Sequence, residues 1–163
     1  MRSQDVAGRV APPRPLAEEK IFMNFTLRPI GHIRTPYQTL RECPRNVDPQ
    51  GPICELVIDE HFLDGLAGLI TGENILVLYW FDNVDREALL QQRRESGCKR
   101  GVFALRSPHR PNPIGAATVR IESIVNRCIR VRGMDCLDGT PLLDIKPAIF
   151  ANPLKDSEAQ LDH

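Results

Sequence analysis

Between Arg100 and Gly115 the chain reads RGVFALRSPHRPNPIG. Pro108, Pro111 and Pro113 each lock φ and remove a backbone donor. The residues before them, Ser107, Arg110 and Asn112, are pushed toward extended conformations. The stretch starts strand-like at GVFAL and then becomes turn-rich, where neither a helix nor a central strand can run on through the prolines. It reads as a stiff loop carrying Arg106, His109 and Arg110, whose side chains have little freedom left to lose on binding. Gly115 then allows a close approach or an unusual dihedral as the chain re-enters a strand. A solvated connection with arginines in water is the alternative reading. A PxxP ligand is not, because the prolines lie between strand signals rather than in a tail.

The segments around this loop are mostly β in pattern. TLRPIGHI ends in a short apolar strand before the turn-prone RTPY, and CELVI (54–58) follows a Pro/Gly loop. NILVLYWF is almost continuously apolar and rich in β-branched and aromatic residues, which predicts a central strand buried on both faces. In ATVRIESIV and IRVRGM, apolar Val119, Ile121, Ile129 and Val131 alternate with Arg120, Glu122, Arg130 and Arg132. Period two over both predicts a half-buried antiparallel pair joined near Asn126. LLDI (142–145) completes the set. Two helices are expected: a short one in DEHFLDGLAGLI after an Asp59 cap, and a second in DNVDREALLQQRRES, capped by Asp85 with Val84, Ala88 and Leu89 on one face. The fold class is therefore mainly β, a small antiparallel barrel or strongly curved sheet with one or two short helices. No GxGxxG follows a strand, so a Rossmann nucleotide fold has no support.

A length of 163 residues suits one domain with a real core. Residues 1–23 read as a flexible leader, in which Met23 offers an alternative start; residues 24–150 form the domain, and 151–163 a polar tail. Formal net charge is zero, which excludes nucleic-acid binding by bulk electrostatics and leaves only a local patch for such contacts. The five cysteines have no CxxC spacing and their number is odd, against a disulfide framework; with the four histidines they show no zinc-ligand spacing. No metal is expected. The apolar runs are far shorter than a membrane span, and the first residues lack a continuous apolar signal core. A soluble, reduced, cytoplasmic protein is the expectation.

Two more stretches stand out. ECPRNVDPQGP (42–52) is a mobile-looking loop with a basic residue at its centre. MDCLDGTPLLDIKP (134–147) carries the Asp138–Gly139 turn signal, stiffened by Pro141; its aspartates lack calcium-loop spacing.

Together these stretches resemble the TsaA/TrmO-like family, whose members carry GVFATRSPxRPNPIG and then LDGTPLLDIKPY. Here the blocks are GVFALRSPHRPNPIG and LDGTPLLDIKPAIF; upstream, IGHIRTPYQ is similar to the family's IGxIxSPY and CPRN to its PRQ loop. The resemblance covers about residues 28–150. It implies a non-Rossmann β-barrel that binds S-adenosylmethionine, a homodimer, and methylation of the exocyclic nitrogen of threonylcarbamoyl-adenosine beside a tRNA anticodon. It also implies cofactor contacts at Pro44, Arg45 and Asn46, at Asp82 and Asn83, at Arg106 and Ala116, and at Cys136, Leu137, Asp138 and Gly139. Arg45 and Arg106 would suit the cofactor's carboxylate. His109, Arg110 and Asn112 are candidates to hold substrate; no catalytic residue is assigned.

The chain departs from the family pattern in several places. Asp82 replaces a histidine, where a carboxylate would meet the cofactor's ammonium or ribose. Gly115-Ala116-Ala117 loses a hydroxyl, and Ala148 replaces a tyrosine. The bacterial tRNA-modifying members carry an extra C-terminal domain, so a short form is expected here. A small-molecule methyltransferase and a non-catalytic S-adenosylmethionine-binding sensor or interaction module stay open beside the tRNA reading.

Overall fold

A computed structural model describes residues 26–92 and 97–149. The expected leader (1–23) and tail (151–163) lie outside the described residues. Nine strands follow in order: β1 (Gly31–Arg34), β2 (Ile53–Ile58), β3 (Asn74–Trp80), β4 (Leu90–Gln92), β5 (Lys99–Gly101), β6 (Ile114–Arg120), β7 (Ser123–Val125), β8 (Cys128–Arg132) and β9 (Thr140–Pro147). Seven make one sheet in the order β6-β3-β9-β1-β2-β8-β7, and β4 pairs with β5 in a separate ribbon. Every pairing is antiparallel.

The mainly β class is as expected, with an open rather than a closed barrel. β6 and β7 occupy opposite edges of the sheet yet are separated in the chain only by Ile121 and Glu122. The sheet must curl to let so short a link pass from edge to edge. Ile121 N–H donates to Glu73 O and Glu122 N–H to Arg130 O, so the link itself is hydrogen-bonded to both sides. No ladder joins the two edges among the described residues. Inside the curl lie Ile33, Leu56, Ile58, Ile75, Val77, Val119, Ile121, Ile129, Val131, Met134 and Leu142, all buried. This is the inward set of the period-two pattern: Ile129 and Val131 point in while Arg130 and Arg132 point out.

Several expectations change. The hairpin at Asn126, whose φ is 54°, joins only Ser123–Val125 to β8; the segment before it pairs with β3 instead. β3 buries Ile75, Val77 and Tyr79 fully, but Leu76, Leu78 and Trp80 only in part. The first expected helix is a 3-10 helix, Glu60–Leu66, with Asp59 at its N-cap position but without a side-chain cap bond. The second does not form over its described residues, 82–92; its last four, 93–96, lie outside the described residues. Asp82–Ala88 is irregular and Leu90–Gln92 pairs with Lys99–Gly101. The reason is tertiary: Arg86 stacks 5.4 Å from the Trp80 ring centroid and donates from Nε to Pro111 O at 3.1 Å, while Asp85 N–H donates to His109 Nδ1 at 3.0 Å. These bonds hold the backbone along the proline loop, and helix propensity of a few tenths of a kcal/mol per residue does not compete. GVFAL, strand-like in pattern, contains a 3-10 turn at Val102–Ala104.

Candidate functional site

Four loop segments, far apart in sequence, meet at one end of the curled sheet. The first is Leu40–Arg45. It is drawn in by the bond from Asp48 N–H to Gly133 O (3.0 Å), where the two backbones touch. Gly133 sits at φ +65°, and a Cβ there would fall 1.6 Å from Asp48 O, so only glycine permits this approach. The second segment, Asp135–Gly139, is clamped to the exit of β1. Thr35 N–H donates to Asp138 Oδ1 (3.1 Å), Thr35 Oγ1 to Cys136 O (3.0 Å), Asp138 N–H to Tyr37 O (2.8 Å) and Gly139 N–H to Ile33 O (2.9 Å). The third segment follows β3, and the fourth is the proline loop.

The loop's cations do different things. Arg106 donates to Ala116 O across the turn while its guanidinium still borders the cleft. Arg110 turns inward, donating to Val102 O (2.8 Å) and Leu105 O, and so ties the loop to its own 3-10 turn. His109 accepts at Nδ1 from Asp85 N–H; in the neutral ring the proton is then on Nε2.

Between the four segments lies a cleft of about 520 Å³, within the size range of small-molecule sites. Pro44, Arg45, Asp82, Asn83, Arg106, Cys136, Leu137, Asp138 and Gly139 line it, as does His109. Of the residues singled out in the sequence, Asn46, Ala116, Arg110 and Asn112 are not in its lining. Sequence reasoning missed Leu40, Trp80, Phe81, Pro108 and Asp135, which supply its apolar walls and a further carboxylate. Aromatic and aliphatic walls with two arginines and three aspartates fit a ligand that joins a flat heterocycle to a charged amino-acid group. Burial pushes the Cys136 thiol well above the ordinary range, so it lines the cleft as an inert small group rather than a nucleophile. Among the described residues no group of three or more His, Cys, Asp or Glu could hold a metal ion, and no helix is long and apolar enough to cross a membrane.

Residues 32–152 match the family model described as the tRNA-methyltransferase O N-terminal domain. The chain is 43% identical over 118 residues to a probable S-adenosyl-L-methionine-binding protein, VirR, of Rhizobium radiobacter, covering 72% of this chain and 67% of that one. It is 33% identical over 138 residues to the tRNA (adenine(37)-N6)-methyltransferase of Mus musculus, covering 77% of this chain and 31% of that one. The crystal structure of TrmO from Pseudomonas aeruginosa superposes with a TM-score of 0.64 at 30% identity, over 86% of this chain and 61% of that chain. The chain thus spans about three fifths of the solved TrmO chain and under a third of the mouse protein.

Proposed function

The chain belongs to the tRNA-methyltransferase O N-terminal domain family, and on that premise we propose that it is an S-adenosylmethionine-dependent methyltransferase working from this cleft. The observation that carries the reading is the convergence of Pro44–Arg45, Asp82–Asn83, Arg106 and Cys136–Gly139 on one cavity. These are nine of the eleven positions that the motif resemblance implies, Asn46 and Ala116 being the other two, and nothing in their sequence spacing requires them to meet.

When bound, S-adenosylmethionine supplies an already activated methyl group, so the protein's work is placement, exclusion of water and acceptance of one proton. Arg45 and Arg106 hold a carboxylate by charge-assisted bonds. Backbone groups of Cys136–Gly139 suit an adenine edge, and Asp82 suits ribose hydroxyls. Leu40, Trp80, Phe81 and Leu137 exclude water from the reacting atoms. His109, with Nδ1 engaged by Asp85 N–H, presents Nε2–H as a hydrogen-bond donor toward the substrate rather than as the proton acceptor. The acceptor we propose is the exocyclic nitrogen of threonylcarbamoyl-adenosine in tRNA. Support comes from the mouse and rat relatives named as tRNA (adenine(37)-N6)-methyltransferases. This acceptor would put the protein in the cytoplasm.

A second reading is binding without methyl transfer; it is favoured by the bacterial and archaeal relatives, whose names give S-adenosylmethionine binding alone. Incubating the protein with S-adenosylmethionine and unmethylated tRNA, then analysing nucleosides by mass spectrometry, separates the two. A methylated threonylcarbamoyl-adenosine is expected; cofactor binding with unmodified tRNA would favour the second reading.

A further inference from the structure

Three carboxylates line the cleft, and they are not equivalent. Asp82 is exposed, and Asp138 uses Oδ1 to accept from Thr35 N–H. Asp135 is half-buried, its chain neighbours Met134 and Cys136 are buried, and its Oδ1 accepts a hydrogen bond from Tyr79 Oη. Burial and the nearby Asp135 carboxylate hold the Tyr79 phenol far above its ordinary range, so at neutral pH the hydroxyl is always the donor of this pair.

Tyr79 is itself placed by three features. It stands directly opposite Gly115 on β6, and a Cβ at Gly115 would lie 2.2 Å from the tyrosine ring. Its register against β9 shifts between Leu78 and Tyr79, an irregularity that re-aims a side chain. Phe81 packs edge-on to it, with centroids 5.2 Å apart and planes at 73°. The glycine ending the proline loop therefore leaves room for the ring that holds Asp135, 56 residues from Tyr79 along the chain.

Arg106 also lies near this pair, where its charge acts on the Tyr79 hydroxyl. Yet no ion pair joins Arg106 to Asp135 among the described residues. Opposite charges that share a cleft without neutralising each other suit a ligand carrying both signs.

We propose that Asp135, oriented by Tyr79 over Gly115, is the anionic contact for the positive charge of the bound ligand, opposite the arginines that take its carboxylate. The proposal rests on the functional reading above and deepens it: the ligand group is a cation, the ammonium or the sulfonium of S-adenosylmethionine. Tyr79 is a positioning residue.

Isothermal titration of wild type, Asp135→Asn and Tyr79→Phe against three ligands tests this. S-adenosylhomocysteine lacks the sulfonium charge, and methylthioadenosine lacks both positive charges and the carboxylate. Asp135→Asn should weaken S-adenosylmethionine about tenfold or more and leave methylthioadenosine within about twofold. A loss shared with S-adenosylhomocysteine assigns the ammonium; a loss confined to S-adenosylmethionine assigns the sulfonium. Tyr79→Phe should give the same pattern at smaller size. A mere packing defect would weaken all three ligands together, so unchanged affinity ratios in both variants overturn the assignment of Asp135 alone. Wild-type protein that binds none of the ligands overturns the functional reading and this proposal with it.

Discussion

At the scale of single residues, the cleft divides its side chains into those that face its open space and those that hold the facing ones. Arg106 belongs to the first group. Removing one charge-assisted bond to a carboxylate costs about 1.5–3 kcal/mol, so Arg106→Ala should weaken S-adenosylmethionine by roughly ten- to a hundredfold in calorimetric titration, and unchanged affinity would remove it from the site. Gly133 belongs to the second. With φ at +65° and Asp48 O 1.6 Å from where a Cβ would stand, Gly133→Ala combines backbone strain with a clash against rigid backbone. It should lower unfolding stability by about 2 kcal/mol or more, read as a reduced urea midpoint. Burial raises the thiols of Cys54 and Cys136, whereas Cys98 is exposed. Iodoacetamide at pH 8 should therefore label Cys98 and spare the other two in the folded protein, and rapid labelling of Cys136 would contradict the burial described. Most of the facing residues were legible because they sit in long motifs. Asp135 was not: only the fold brings Tyr79 against it, and in sequence it is one of several acidic residues before a turn.

At the scale of elements, the strands were easier to read than the connections. Alternation in IRVRGM survives in the structure because one face of a curved sheet is wet and the other dry. The expected helix is absent over 82–92 because its helical pattern is real but weaker than what the neighbouring loop offers: a ring for Arg86, a carbonyl for its Nε and an imidazole for the Asp85 amide. The proline loop reads as stiff from its prolines alone, and the structure adds a second restraint. Arg110, expected among the substrate contacts, is a strut to Val102 and Leu105. Arg110→Ala should therefore loosen Val102–Pro113, seen as faster amide hydrogen exchange there, and weaken cofactor binding indirectly through Arg106. Unaltered exchange with a selective loss of substrate turnover would instead return Arg110 to the substrate side.

At the scale of the whole molecule, the β4–β5 ribbon is the anomaly. Two strands of three residues do not stand alone in water, yet Leu89, Leu90 and Phe103 beside them are 60%, 63% and 83% exposed. We propose that a second copy covers this face, giving a two-fold homodimer with the proline loop at or beside the interface. Light scattering should then give twice the 18.4 kDa chain mass, and Phe103→Asp should give the single mass; a wild-type monomer with full cofactor affinity would sink the dimer. The curled sheet, the four converging loops and the motif residues they carry all serve one claim, that the cleft holds S-adenosylmethionine. Calorimetric titration of the full chain with that ligand is its most direct test. Saturable binding at one site per chain is expected, competed by S-adenosylhomocysteine and weakened by Arg106→Ala. Absence of saturable heat, or binding indifferent to Arg106 and Asp135 alike, would contradict it.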